Sequence, residues 1–239
     1  VLSIRHLSNR KILLRYTIIS FIILALMSFS WWITSNPVRD FSMNVPGMDN
    51  RPAKEGSSGE IVTIGAHFTR FGDFQGSSSE NWPSFRGKNR DNILSAGPEL
   101  KDDLGKNPPG ILWQVPLGEG HAGAAIFEGR VYILDYDEEI RADMLRCFDL
   151  NSGDELWRRW YNVSIKRNHG MSRTVPAVTD SFIVTIGPRC HVMCVERITG
   201  DFIWGLDMEK EFNTEVPFWY TGQCPLVDNG KVILAPGGS

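Results

Sequence analysis

The stretch CFDLNSGDELW, Cys147 to Trp157, returns as CVERITGDFIW at Cys194 to Trp204. In both copies a Cys is followed six residues later by a Gly and ten residues later by a Trp, and a hydroxyl residue (Ser152, Thr199) stands just before the Gly. The two Trp residues are 47 apart, and a third, Trp113, lies 44 residues before the first. This period falls in the range of a β-propeller or solenoid unit. A reaction centre has no reason to recur at a fixed interval, so the motif reads as a structural unit.

Around it the chain breaks into short apolar runs separated by turn chemistry. AGAAIF, RVYILD, MLRCFD and ELWRRWY form one set, TVPAVT, SFIVTI, VMCVE and DFIWGLD a second, and QCPLV with KVILAP half of a third. None reaches helix length, and several alternate or are rich in β-branched residues. Four strands per period predict an all-β fold, a β-propeller of four-stranded antiparallel blades with about two and a half blades present. A β-sandwich is the alternative, but it gives no reason for the Trp spacing. Within the motif, Asp149 and Gly153 are predicted to build a tight hairpin turn, the acid bonding back to turn amides and the Gly supplying positive φ. Glu196 and Gly200 repeat it. Trp113, Trp157 and Trp204, each with a broad apolar face and one N–H donor, are predicted to stack on the neighbouring blade.

The spacing small-x-Asp-x-x-Thr/Ser-Gly-x-x-x-Trp resembles the tryptophan-docking motif of PQQ-type propellers, the family of quinoprotein alcohol dehydrogenases and the outer-membrane assembly lipoprotein BamB. Cys147–Trp157 fits it with Cys in the small position; Cys194–Trp204 departs at Glu196. NWPSFRGKNRD, Asn81 to Asp91, is similar to the opening of PQQ-like propeller proteins of environmental bacteria. The resemblance covers about residues 81–239 and implies a ring of seven or eight blades. On that footing the sequence is expected to be an N-terminal fragment of a ring, with Trp113 closing the last blade. Fold alone does not assign an activity.

The N-terminus reads differently. Residues 1–35 carry Arg5, Arg10, Lys11 and Arg15 and no acid; of 25 basic residues this leaves 21 in the remainder, against 28 acids, a net of −7. That balance excludes a broad nucleic-acid surface. Tyr16 to Ile33 holds no charge over 18 residues and ends in Trp31-Trp32, which predicts a transmembrane signal-anchor rather than a cleaved leader. Residues 1–35 are thus a cytoplasmic tip and a single transmembrane anchor in a bacterial inner membrane, and the positive-inside rule puts the N-terminus in the cytoplasm and everything after residue 35 in the periplasm. Residues 36–80, rich in Gly, Ser, Pro and Asn, read as a flexible linker, with a short strand expected at Ile61–Ile64 and aromatics in HFTRFGDF able to dock. The propeller is placed at 81–239.

Propeller topology puts the A–B and C–D turns on one face and the B–C and D–A connections on the other. The first set is short; the second is long and polar, and is where binding is expected. Lys166, Arg167, His169 and Arg173 suit a carboxylate or phosphate. His191 beside Cys190 has no second His or Cys at zinc spacing, and Trp219 in PFWY offers either an aromatic wall or packing between blades. Asp135, Asp137 and Glu139 alternate as calcium ligands would, but lack an EF-hand's Gly and spacing, so a solvated hairpin is expected and no metal site is assigned. Cys147 and Cys194 read as packing residues, and Cys190 with Cys224 as a disulfide. Two functions remain: a membrane-tethered module that binds a protein or small ligand, or a quinoprotein-type oxidoreductase using PQQ and calcium. The absence of an adjacent Cys-Cys pair and of CxxCH in the sequence weighs against the second.

Overall fold

A computed structural model of the chain describes residues 2–35, 61–74, 76, 78–79, 81–94, 105, 108–166 and 171–237. The chain divides into two units, Val1–Asp49 and Asn50–Ser239. In the first, helix α1 spans Leu2–Thr34, and its portion Ile12–Thr34 is long and apolar enough to cross a membrane or to serve as a signal sequence. The hydroxyls of Thr17 and Thr34 donate to Leu13 O and Ser30 O one turn back, at 3.0 and 2.8 Å. Their polar groups are thereby satisfied inside an apolar segment.

The second unit opens with strand β1 (His67–Arg70), followed by β2 (Ala125–Phe127), β3 (Arg130–Asp137), β4 (Ala142–Asp149) and β5 (Glu155–Asn162). These form one antiparallel sheet in the order β1-β5-β4-β3-β2. A second antiparallel sheet runs in sequence order through β6 (Ala177–Val178), β7 (Phe182–Ile186), β8 (His191–Glu196) and β9 (Phe202–Asp207). Helix α2 (Met208–Phe212) follows, then a hairpin of β10 (Leu226–Asp228) and β11 (Lys231–Ile233). The linker expected over 36–80 is corrected at its C-terminal part. The short strand lies at His67–Arg70 rather than Ile61–Ile64 and adds a fifth strand to the first sheet, while Val62, Ile64, Phe68 and Phe74 pack against the core.

The faces of the sheets explain the burial pattern. Tyr132, Leu134, Leu145, Cys147, Trp157 and Tyr161, on one face of the first sheet, pack with Ile183, Met193 and Val195 of the second. The opposite face of the second sheet presents Val184, Ile186, Val192 and Cys194 to Met208 and to Val227 and Val232 of the hairpin. Each such aliphatic or sulfur side chain removed from water contributes about 1.5–3 kcal/mol. β4 is buried at every position, including its charged residues Asp143, Arg146 and Asp149.

The repeat holds in three dimensions. Cys147 faces Trp157 and Cys194 faces Trp204 across their strand pairs, and in both pairs the register shifts immediately after the Cys. Asp149 Oδ1 accepts from Asn151 N and Ser152 N at 2.8 and 3.2 Å, while Glu196 Oε2 accepts from Ile198 N and Thr199 N at 2.8 and 2.5 Å. The longer acid thus reaches the same pair of amides. Trp113 Nε1 donates to Leu150 O at 2.8 Å and its ring covers Gly153; Trp157 Nε1 donates to Ile198 O at 3.1 Å and its ring covers Gly200. A Cβ on either Gly would stand 2.6 or 2.8 Å from the indole, and φ is +78° and +75°, so both the turn and the stacking require glycine.

Segment 81–94 ties the first strands together. Trp82 exchanges two backbone hydrogen bonds with Ile126 of β2, Val178 N of β6 donates to Pro83 O at 2.8 Å, and Arg90 Nη2 donates to Val227 O of β10 at 2.9 Å.

Candidate functional site

At the ends of β4, β5, β8 and β9 on the long-loop side, four ionisable or aromatic side chains meet between the two sheets. Asp143 is the second residue of β4 and is 1% exposed; its parity with Leu145 and Cys147 turns it inward. Tyr161 Oη donates to Asp143 Oδ2 at 2.7 Å, and the Tyr161 ring meets the edge of His191 with centroids 5.5 Å apart. His191 is 2% exposed, with Nε2 3.8 Å from Asp207 Oδ2. Asp207 also bonds Lys210 Nζ at 2.9 Å and caps α2 by accepting from Glu209 N and Lys210 N. Gly187 leaves the space beside Asp143 Oδ2 and Tyr161 Oη that a Cβ would fill.

Burial pushes the Asp143 carboxyl up to about 7, against the lowering effect of the Tyr161 hydroxyl and with a further push from Asp135. Burial likewise drives Tyr161 well above its ordinary value. Burial works against the ionised Asp207, but Lys210 and His191 hold it below the usual carboxylate range. Cys190 is raised to about 11 by burial, and Thr221 opposes this. The result is a closed polar contact between sheets that holds a proton near neutrality. Asp143, Tyr161 and Asp207 escaped the sequence reading, although the parity of Asp143 with Cys147 was available as a signal.

The other expected residues separate. Arg167 and His169 lie outside the described residues. Arg173 is half-buried, next to Ser172, which bridges Gly120 in parallel. Trp219 is 52% exposed and meets Phe218, 78% exposed, edge-on at 4.7 Å. Tyr220 Oη, donating to Lys166 O at 2.7 Å, fixes this loop to the one before 167. The aromatic pair therefore faces outward rather than packing between sheets.

Two expectations are corrected. Cys190 and Cys224 are free thiols rather than a disulfide, Cys190 beside Thr221 and Cys224 accepting from Val175 N at 3.3 Å. Asp135 is not part of a solvated hairpin. It is buried, accepts from Gly118 N at 2.7 Å and pairs with Arg146 at 3.0 Å. Arg146 grips Glu155 through Nε and Nη2 at 3.0 and 2.8 Å; despite burial, Arg146 and Arg158 hold Glu155 below its ordinary pKa. Asp137 Oδ1 accepts from Glu139 N and Ile140 N, closing the turn. Both oxygens of Asp135 and Oδ1 of Asp137 are thus committed to arginine and backbone donors.

Comparison with known proteins agrees with the repeat. The family described as outer membrane protein assembly factor BamB matches residues 141–239. Among solved structures, a europium-containing methanol dehydrogenase is similar at 19% identity with a TM-score of 0.32, over 46% of this chain and 22% of that one. The chain thus spans under a quarter of that enzyme's length. No curated protein matches. The two antiparallel sheets with their repeated turns are thus similar to PQQ-like propeller repeats, and the family match covers residues 141–239.

Proposed function

We propose that this chain is a membrane-anchored, extracytoplasmic PQQ-like propeller that works as a binding or scaffold module. α1 anchors it in a bacterial inner membrane with the basic N-terminus in the cytoplasm, and residues 36 to about 60 tether the domain. The two sheets and the hairpin are successive blades.

One observation carries this reading. On the long-loop side Asp143 and His191 turn inward, at 1% and 2% exposure, while Trp219 and Phe218 are presented to solvent at 52% and 78%. An exposed aromatic pair on a fixed turn supplies contact area at low entropic cost, which suits recognition of a protein surface. A photocrosslinking residue at position 219 of the full chain, expressed in its membrane, is expected to give a discrete adduct. The same residue at Asn151, on the opposite face, is expected to give none. Equal labelling from both positions overturns the reading. If PQQ with calcium gave a bound quinone spectrum and alcohol-dependent dye reduction, the oxidoreductase alternative would replace it.

A further inference from the structure

The segment Asn81–Asp91 was singled out by its sequence; Asn81 Oδ1 accepts from Glu128 N and Arg90 donates to Val227 O, but Phe85, Arg86 and Lys88 are exposed. It does more than tie first strands together. Between it and the strands β6 and β10 lies a cavity of about 350 Å³. Among the described residues that line it, Arg86, Lys88 and Arg90 are cations and none is an acid. The rest of the wall is largely apolar, including Phe85, Val178 and Leu226.

The backbone is shaped to this end. Arg86 and Arg90 sit at φ +66° and +62°, a region that costs a non-glycine residue roughly 1–3 kcal/mol. Such conformations persist only where the surroundings fix them, and here they are fixed. Asn92 N donates to Arg86 O at 3.0 Å, Arg90 N donates to Gly87 O at 3.3 Å, and the Arg90 guanidinium is held on Val227 O. One cation is thus anchored to β10, while Arg86 and Lys88 are exposed at the same cavity. Three positive charges beside an apolar wall disfavour a neutral guest and attract an anion whose body is apolar. The volume lies at the small end for ligand sites, which limits the guest to about one ring or a short chain.

We infer that this cavity binds a small organic anion, with a carboxylate or phosphate head held by Arg86, Lys88 and Arg90 and an apolar body against Phe85, Val178 and Leu226. The inference rests on neither the scaffold nor the oxidoreductase reading of the loop face. The test uses the full chain in detergent with benzoate and phenyl phosphate as probes and benzyl alcohol as the neutral control. Calorimetry is expected to show binding of an anion, weakened about tenfold or more in Arg86→Gln/Lys88→Gln, because charge-assisted contacts are lost. The alcohol is expected to bind at least about tenfold more weakly than the anion. Preference between the two probes identifies the head group. Methyl NMR of the wild type should shift Val178 and Leu226, which locates the site without relying on a variant. Neither anion binding, binding unchanged in the variant, or shifts confined to other methyls overturns the inference.

Discussion

Trp157 and Trp204 hold the same position in the same repeat, each across a strand pair from a buried cysteine. Trp157 is sealed between two sheets: it is fully buried, bonded to Ile198 O, stacked on Gly200 and flanked by Tyr132 and Phe68. Trp204 is half-buried and lines an apolar cleft of about 600 Å³ between the second sheet and the hairpin, with Phe182, Cys194 and Val232. The strands beside them differ as well. β5 is covered along its edge by β1, whereas β9 is an edge strand with Phe202 and Ile203 exposed. The same motif thus yields different burial: Trp157 has a turn of the next sheet to cover at Gly200, whereas Trp204 faces the open cleft. That dependence is the expected nearest-neighbour energetics of repeat architectures.

Truncating the two tryptophans separates these states most widely. Trp157→Ala is expected to lose about 4 kcal/mol of stability in urea unfolding, from a cavity in the core and an unpaired Ile198 carbonyl. Trp204→Ala should lose about 1 kcal/mol, since less of its surface leaves water on folding. Equal losses would mean that the turn contact contributes nothing to the difference.

Asp143 and Cys190 extend the comparison to charge, since each stands four residues before the repeat's cysteine. The unfolded Asp143 carboxyl titrates near 3.8 and the folded one near 7. Below about pH 4 it is protonated in both states and costs nothing. Between pH 4 and 7 the folded state keeps a proton that the unfolded state has lost, so stability falls as pH rises, then levels off above 7. Asp143→Asn removes this loss and is expected to be more stable than the parent by about 4 kcal/mol at pH 8, with little difference at pH 4. Cys190, raised to about 11, stays neutral over that window, and Cys190→Ser should leave the slope unchanged. Chemical denaturation of the three proteins across pH 4–8 decides it; a parallel slope in Asp143→Asn removes Asp143 as the cause.

How much of this was legible in sequence follows from range. The turns at Asp149 and Glu196 and the Trp positions are local and repeated, so spacing alone located them. β1 was missed because four residues of mixed polarity carry no period, and its pairing depends on Trp160, 93 residues from His67. The Asp135–Arg146–Glu155 network was misread for a related reason. Its tip looks like a polar loop, while its partners come from three separate strands and from Gly118. Cys190 and Cys224 share a region, but composition says nothing about whether their thiols converge. Asp143 is intermediate: strand parity points it inward, and only the facing sheet shows what it meets there.

The smallest contrast isolates the turn from the strand. Gly200 and Gly230 have nearly the same positive φ, +75° and +72°, but a Cβ at Gly200 meets the Trp157 ring and Phe68, while at Gly230 it meets open space. Gly230→Ala should therefore cost only the backbone term, about 1 kcal/mol, and Gly200→Ala about 2 kcal/mol, the excess arising from displacement of the indole. Combining Gly200→Ala with Trp157→Ala tests that assignment. If the excess comes from the ring, removing the ring abolishes it, and the two changes together cost about 1 kcal/mol less than their sum. Strict additivity would instead place the excess in the turn itself and leave the Trp contact without a role in choosing glycine.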